Sequence, residues 1–191
     1  MAKTDIGKRF ENEIKYSFSA YEATGIAMLR MLPVPTAPAP KKYRNPQLRV
    51  LCGNSPFDVG GWTFDGARYI GAELKATAKY KPSLPIVPAG RDGSGIQEHQ
   101  LKALADLSSC GGLAFVVWNN GGEVGVIDLR QIVATWAVFL ASKHMEEAGK
   151  TVLRGSRSIK WGVFQPVKDR TTTGGKQFLH WLQIDALGED E

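Results

Sequence analysis

Apolar residues recur along the chain with two different spacings, and these spacings separate the predicted helices from the predicted strands. A repeat of three to four residues predicts three helices, at residues 7–23, 97–109 and 130–147. Alternation and short continuous apolar runs predict five strands, at residues 47–52, 57–62, 68–76, 113–118 and 123–129. The order of helix, three strands, helix, two strands and helix predicts an α/β fold in which helices flank a mixed β-sheet.

Two proline-rich segments interrupt this pattern. Residues 33–46 contain five prolines, and residues 79–95 contain three prolines and three glycines. Because proline fixes φ and lacks the backbone N–H, we expect residues 33–46 to form neither a helix nor a central strand. We interpret this segment as an arm of a single domain over residues 1–191, since the residues before it are too few to fold alone.

The composition is that of an ordinary globular domain, with 43% hydrophobic and 23% charged residues. No apolar stretch approaches the roughly 20 residues of a membrane-spanning helix. The first residues lack the apolar core of a secretory signal, and two cysteines cannot make a disulfide framework. These features argue against a membrane, secreted or disulfide-stapled protein and indicate a cytoplasmic location.

Positive charge is concentrated in a few segments. Residues 150–176, within a basic C-terminal extension at about 150–191, hold seven basic residues and one acid, although the whole chain carries only +5. This clustering indicates a polyanionic partner such as nucleic acid, and solvated surface charge is the alternative. The candidate DNA-binding residues are Lys41, Lys42, Arg44, Lys79, Lys81, Arg154, Arg157 and Lys160.

Three residues suggest a catalytic site. Glu73 and Lys75 lie two apart on a predicted strand and therefore share one face, and Asp58 on the preceding strand can reach the same point. Two neighbouring carboxylates repel unless a cation joins them, and Mg²⁺ prefers oxygen ligands. This layout suits metal-assisted phosphodiester hydrolysis. The spacing alone also allows an exposed ion pair between Glu73 and Lys75.

Short motifs around these residues resemble the PD-(D/E)xK nuclease superfamily and, within it, the RecU-type Holliday junction resolvases. Pro56-Phe57-Asp58 and Glu73-Leu74-Lys75 form the two halves of the motif. Further similar segments follow in the same order, at residues 7–11, 69–77, 84–86, 96–101, 112–117 and 157–159. The chain departs from the family pattern at Phe57, in a shorter segment before Asp58, and in about thirty residues beyond the last similar segment.

The resemblance implies a restriction-endonuclease-like fold and a role for five residues. Asp58 and Glu73 would bind Mg²⁺, for which Mn²⁺ would substitute, and Lys75 would be the catalytic lysine. Glu11 would complete the site, and Gln100 would hold phosphate or water. The implied protein is a homodimer that resolves four-way DNA junctions by paired nicks in a bacterial or phage-infected cell. An endonuclease for other branched or duplex DNA and a catalytically silent DNA-binding module of the same fold are the alternatives.

Overall fold

The computed structural model describes residues 3–33, 36–38, 49–51, 55–87, 95–151, 157–171 and 177–182. The helices are α1 (Lys3–Ala23), α2 (Glu98–Ser109), α3 (Leu129–Glu147) and a short 3-10 helix (Trp161–Val163). The strands are β1 (Ala27–Met31), β2 (Thr36–Pro38), β3 (Arg49–Leu51), β4 (Val59–Thr63), β5 (Tyr69–Thr77), β6 (Ser83–Val87), β7 (Ile96–Gln97), β8 (Leu113–Asn120), β9 (Glu123–Ile127), β10 (Ser158–Lys160), β11 (Gln165–Pro166), β12 (Lys168–Thr171) and β13 (Gln177–His180). Within these ranges, no helix has the length and apolar character needed to cross a membrane.

A six-stranded mixed sheet forms the centre of the fold, in the order β1-β4-β5-β8-β9-β11. β5 pairs antiparallel with β4 and parallel with β8, and the other pairs of this sheet are antiparallel. Parallel neighbours need a crossover, which here includes α2. The expected mixed α/β fold is therefore confirmed.

The two faces of the sheet are covered by different helices. Phe10 and Ile14 of α1 join one core cluster with Ile70, Ala72 and Leu74 of β5. A second cluster on the opposite face combines residues of α2 and α3 with the sheet, among them Leu101, Leu104, Phe139, Val116 and Trp118. Because side chains alternate along a strand, the odd-numbered residues of β5 point away from α1 and toward α2.

The three helices and the five predicted strands, observed as β3, β4, β5, β8 and β9, lie within a few residues of their predicted positions. Among the strands that were not predicted are β1 and β6. In β1, Met28 is apolar but exposed, so the sequence does not alternate although the burial does. In β6, Pro85 indicated a loop. It is tolerated because β7 pairs only with Ile86 and Val87, so Pro85 needs no N–H on that side.

The proline-rich arm supplies β2, which among the described residues pairs with β3 in a two-stranded sheet apart from the central one. β3 lies within the strand predicted at residues 47–52. The described part of the arm, Thr36–Pro38, is thus not a central strand, and residues 34–35 and 39–46 lie outside the described residues.

The C-terminal segment is part of the core. Trp181 is fully buried, and its indole N–H donates to the Ser17 hydroxyl of α1 at 2.9 Å. Its ring packs edge-on against Phe115 with the centroids 6.0 Å apart. The next residue, Leu182, donates its backbone N–H to the Tyr21 hydroxyl at 2.9 Å. Trp181 and Leu182 therefore hold α1 against the sheet through hydrogen bonds and packing.

This packing predicts that Trp181→Ala lowers the free energy of unfolding by about 3–5 kcal/mol, since it removes a large buried ring and leaves a cavity. Urea denaturation measures the loss. Trp62→Ala is the matched control, because that ring is 49% exposed and should cost less than half as much. Equal losses at both positions would contradict a core role for the C-terminal segment.

Candidate active site

Asp58 is fixed by hydrogen bonds to the neighbouring strand β5. Its backbone N–H donates to the Ala72 carbonyl at 3.0 Å, and its Oδ2 accepts the backbone N–H of Leu74 at 2.9 Å. The β4–β5 register pairs Val59 with Ala72, so the same register continued by one residue places Asp58 opposite Glu73. The sequence-based expectation that these two acids reach one point therefore agrees with the strand register.

Glu73 is a carboxylate buried inside the protein, with only 1% of its surface exposed. The Lys75 ammonium lies 2.6 Å from its Oε1. Lys75 is itself only partly exposed, with 20% of its side chain accessible, so this contact is largely shielded from water. The pair is thus not the exposed ion pair that the spacing alone allowed.

Burial raises the pKa of Glu73 to about 8. The Lys75 charge opposes this effect and the neighbouring Asp58 carboxylate adds to it, but the loss of hydration is the largest cause. A carboxyl group in this environment favours its neutral form near neutral pH. A further positive charge at the site would favour ionisation.

α2 approaches β5 closely enough to bring its first turn to Lys75. A Cβ atom on Gly71 would lie 2.6 Å from Leu107 Cδ2, so glycine permits this approach. At the other end of the helix, Gln100 Oε1 accepts from Lys75 Nζ at 3.2 Å and from the Gln97 backbone N–H at 3.0 Å. Gln100 therefore joins the start of α2 to the lysine, and the structure brings these two predicted site residues together.

His99 is a neighbour of the site that the sequence analysis did not select. Burial and the Lys75 charge both lower its pKa, which favours the neutral imidazole. In the sequence, the position of His99 next to Gln100 was the feature that could have indicated its place near the site.

Glu11 is the predicted site residue that the structure does not bring to the carboxylate pair. It is half-buried on α1, and α1 covers the face of the sheet opposite to Glu73. In the part of the chain that the structure describes, no three Asp, Glu, His or Cys side chains form a group able to hold a metal. The catalytic role of Glu11 stays a prediction.

The predicted DNA-binding residues divide into three groups. The side chains of Lys41, Lys42, Arg44 and Arg154 lie outside the described residues. Lys79 and Lys160 are exposed, and Lys81 is half-buried. Arg157 forms an ion pair with Glu146 of α3, so part of its charge is already balanced. Lys79 and Lys160 are therefore the best placed of the described candidates to contact phosphate.

Comparison with known proteins adds no family. No family model matches the chain, and no curated protein matches it at a significant level. The resemblance to the nuclease superfamily, which depends on short motifs, stays a prediction.

The buried carboxyl group predicts how stability depends on pH in metal-free buffer. Unfolded Glu73 loses its proton near pH 4.5, whereas the folded protein keeps it until about pH 8. The folded state therefore binds more protons between these values, and stability falls as pH rises through this window. Glu73→Gln has no group to titrate at this position and so removes this dependence on pH. Its free energy of unfolding should therefore rise relative to that of wild type between pH 5 and pH 8, by at most about 5 kcal/mol.

Urea denaturation in EDTA between pH 5 and 8.5 measures this dependence. Glu123→Gln is the control, since Glu123 is exposed on β9 and its substitution should leave the pH profile unchanged. Parallel profiles for wild type and Glu73→Gln would show that burial does not hold the proton on Glu73.

Proposed function

We propose that the chain is a metal-dependent DNA endonuclease that cuts branched DNA, with the four-way Holliday junction as its leading substrate. One observation carries the proposal. A carboxyl group that is 1% exposed lies opposite a second carboxylate and 2.6 Å from a lysine ammonium. Burying an acid in the middle of a central strand costs stability, so a purely structural role gives no reason for it.

The donor set fits a hard divalent cation. Asp58 and Glu73 would hold Mg²⁺, with Mn²⁺ as a substitute, because Mg²⁺ binds through one or two carboxylates and keeps several waters. The Leu74 N–H donates to Asp58 Oδ2 and so fixes the orientation of this carboxylate. When bound, the ion would polarise the phosphoryl group and lower the pKa of an attacking water.

The chain's own residues supply the remaining chemistry. Lys75 places a positive charge beside the carboxylates, where it would stabilise negative charge that develops on the phosphoryl oxygens. Gln100 holds the ammonium through its Oε1, and its amide NH₂ group would donate to a phosphate oxygen or a water. Because Gln100 is itself bonded to the start of α2, the lysine is oriented by a rigid element.

A DNA-binding module without catalysis is the second candidate, and the position of Glu11 favours it. α1 packs on the far face of the sheet, so the pair lacks a third carboxylate among the described residues. Under this alternative, wild type would bind junctions and leave them uncut with either metal. An endonuclease for other branched or duplex DNA would instead cut those substrates faster than the four-way junction.

Resolving a junction would require two such chains acting in the cytoplasm. The catalytic residues occur once in the sequence, whereas a junction needs two opposed cuts, and a two-fold dimer matches that symmetry. α3 is the proposed interface, since Val138 is 52% exposed there and Trp136 is only partly buried.

The proposal predicts that Asp58→Asn, Glu73→Gln and Lys75→Ala each lower the junction cleavage rate at least about 100-fold. Junction affinity should change less than about threefold, because contacts to many phosphates dominate binding. Gel assays with labelled junction, with and without Mg²⁺, measure both quantities. Glu123→Gln is the matched control and should cut normally. Wild-type rates in the site variants would overturn the assignment.

Cation binding is predicted independently of cleavage. Mg²⁺ at pH 8 should raise the Tm of wild type, since a ligand held at 100 times its Kd stabilises the folded state by about 2.7 kcal/mol. The double variant Asp58→Asn with Glu73→Gln should lose this shift. Differential scanning fluorimetry over a Mg²⁺ titration measures it, and an equal shift in both proteins would place the binding elsewhere.

A further inference from the structure

Tyr80 is an exposed aromatic side chain on a backbone segment that is held firmly in place. Its side chain is 58% exposed, and it follows the end of β5 by three residues. Single exposed apolar residues are common on proteins, so exposure alone carries no argument. Tyr80 differs from such residues in its hydrogen-bonded backbone surroundings and in its neighbouring side chains.

The side-chain amide of Asn120 forms hydrogen bonds with both backbone polar groups of Lys81, the residue after Tyr80. Its Oδ1 accepts the Lys81 N–H at 2.7 Å, and its Nδ2 donates to the Lys81 carbonyl at 2.8 Å. Gly121, with φ +69°, lies so close that a Cβ atom there would be 2.6 Å from the Tyr80 nitrogen. Farther along the chain, the backbone N–H of Trp161 donates to the Pro82 carbonyl at 2.9 Å. The Tyr80 backbone is therefore preorganised.

A packed tryptophan supports the tyrosine ring. Trp161 stacks on Phe164 at 5.5 Å and meets the buried Trp118 edge-on at 5.2 Å. Tyr80 meets Trp161 edge-on, with the centroids 6.5 Å apart. The Trp161 ring is partly buried and packs against the core cluster. Tyr80 is the more exposed ring of this pair.

Two exposed lysines are neighbours in the chain of the two rings that meet here. Lys79 precedes it and is exposed, and Lys160 precedes Trp161 and is also exposed. The acids Glu123 and Asp169 border Trp161 in a separate groove and limit the basic surface there. An exposed aromatic ring on a segment that also carries exposed lysines suits a polyanion with accessible bases, because bases stack on the ring while lysines contact phosphate.

This surface adjoins the candidate active site. Lys75 pairs in register with Trp118, the residue whose ring contacts Trp161. Tyr80 follows Lys75 by five positions, so their Cα atoms lie at most about 18 Å apart. That distance corresponds to roughly five stacked nucleotides of one strand. A DNA strand at Lys75 can therefore extend to Tyr80.

We propose that Tyr80 stacks on an unpaired base of the DNA and so directs the enzyme to strands whose helix is interrupted near the cut. The inference rests on the proposed action on branched DNA and deepens it, because it names an unpaired base as the recognised feature. At a four-way junction, whose arms are fully paired, this base would come from a pair opened at the branch point. A continuous duplex has no base available for this ring. Holding the ring in place beforehand lowers the ordering cost of binding.

The test compares a duplex carrying a short single-stranded gap with an uninterrupted duplex of equal length. Binding is measured by fluorescence anisotropy in EDTA, where metal-dependent cleavage does not proceed. Tyr80→Ala should weaken binding to gapped DNA roughly 5- to 150-fold, the range for losing one base–aromatic stack, and binding to duplex less than twofold. Tyr80→Phe keeps the ring and should retain wild-type affinity for both.

Two controls separate stacking from other effects. Tyr16→Ala removes another exposed tyrosine, 73% exposed on α1, and should change neither affinity. With 2-aminopurine in the gap, wild type and Tyr80→Phe should quench the fluorescence on binding, and Tyr80→Ala should not. Equal losses on both DNAs, or no loss on gapped DNA, would overturn the inference.

The outcome is separate from that of the proposed nuclease activity. Cleavage by wild type together with a Tyr80→Ala variant that binds gapped DNA normally would overturn the stacking role and leave the nuclease in place. A preference for gapped DNA that depends on Tyr80, in a protein that cuts no DNA with Mg²⁺ or Mn²⁺, would support stacking and overturn the nuclease.

Discussion

The burial of one carboxyl group in the central strand is the constraint on which the rest of the site depends. Glu73 lies in the middle of β5, with the sheet on both sides and α2 over its face. Hydration is lost there, so the group needs a proton or a nearby positive charge. Lys75 supplies one charge at 2.6 Å, and Asp58, fixed across the strand, supplies a second carboxylate that favours a cation.

The division of the sheet into two faces determines what each helix contributes. α1 packs against the even-numbered residues of β5 and is fastened by Trp181, so it stabilises the strand from the side away from the carboxylates. α2 covers the other face and presents Gln100 to Lys75. The packing of α1 and the candidate site thus lie on opposite sides of the same strand. A change in the C-terminal segment should therefore affect stability before it affects the site.

The sequence predicted the elements with strong periodicity and the residues that share one strand. Glu73 and Lys75 could be paired because the alternation of β5 is regular. Their burial could not be read from the sequence, since it depends on α2 crossing over the strand. Glu11 was assigned through the resemblance, but the face that a helix covers is a tertiary property. Tyr80 was missed because its fixed position arises from Asn120, forty residues away.

The central claim is that Asp58 and Glu73 bind a divalent cation for phosphodiester hydrolysis. The most direct measurement is an anomalous difference map from crystals soaked in Mn²⁺ at pH 8. The account predicts a peak within coordination distance of an Asp58 oxygen and a Glu73 oxygen, with the Lys75 ammonium displaced from Glu73. A map with no peak at this position, and with Lys75 still against Glu73, would contradict it.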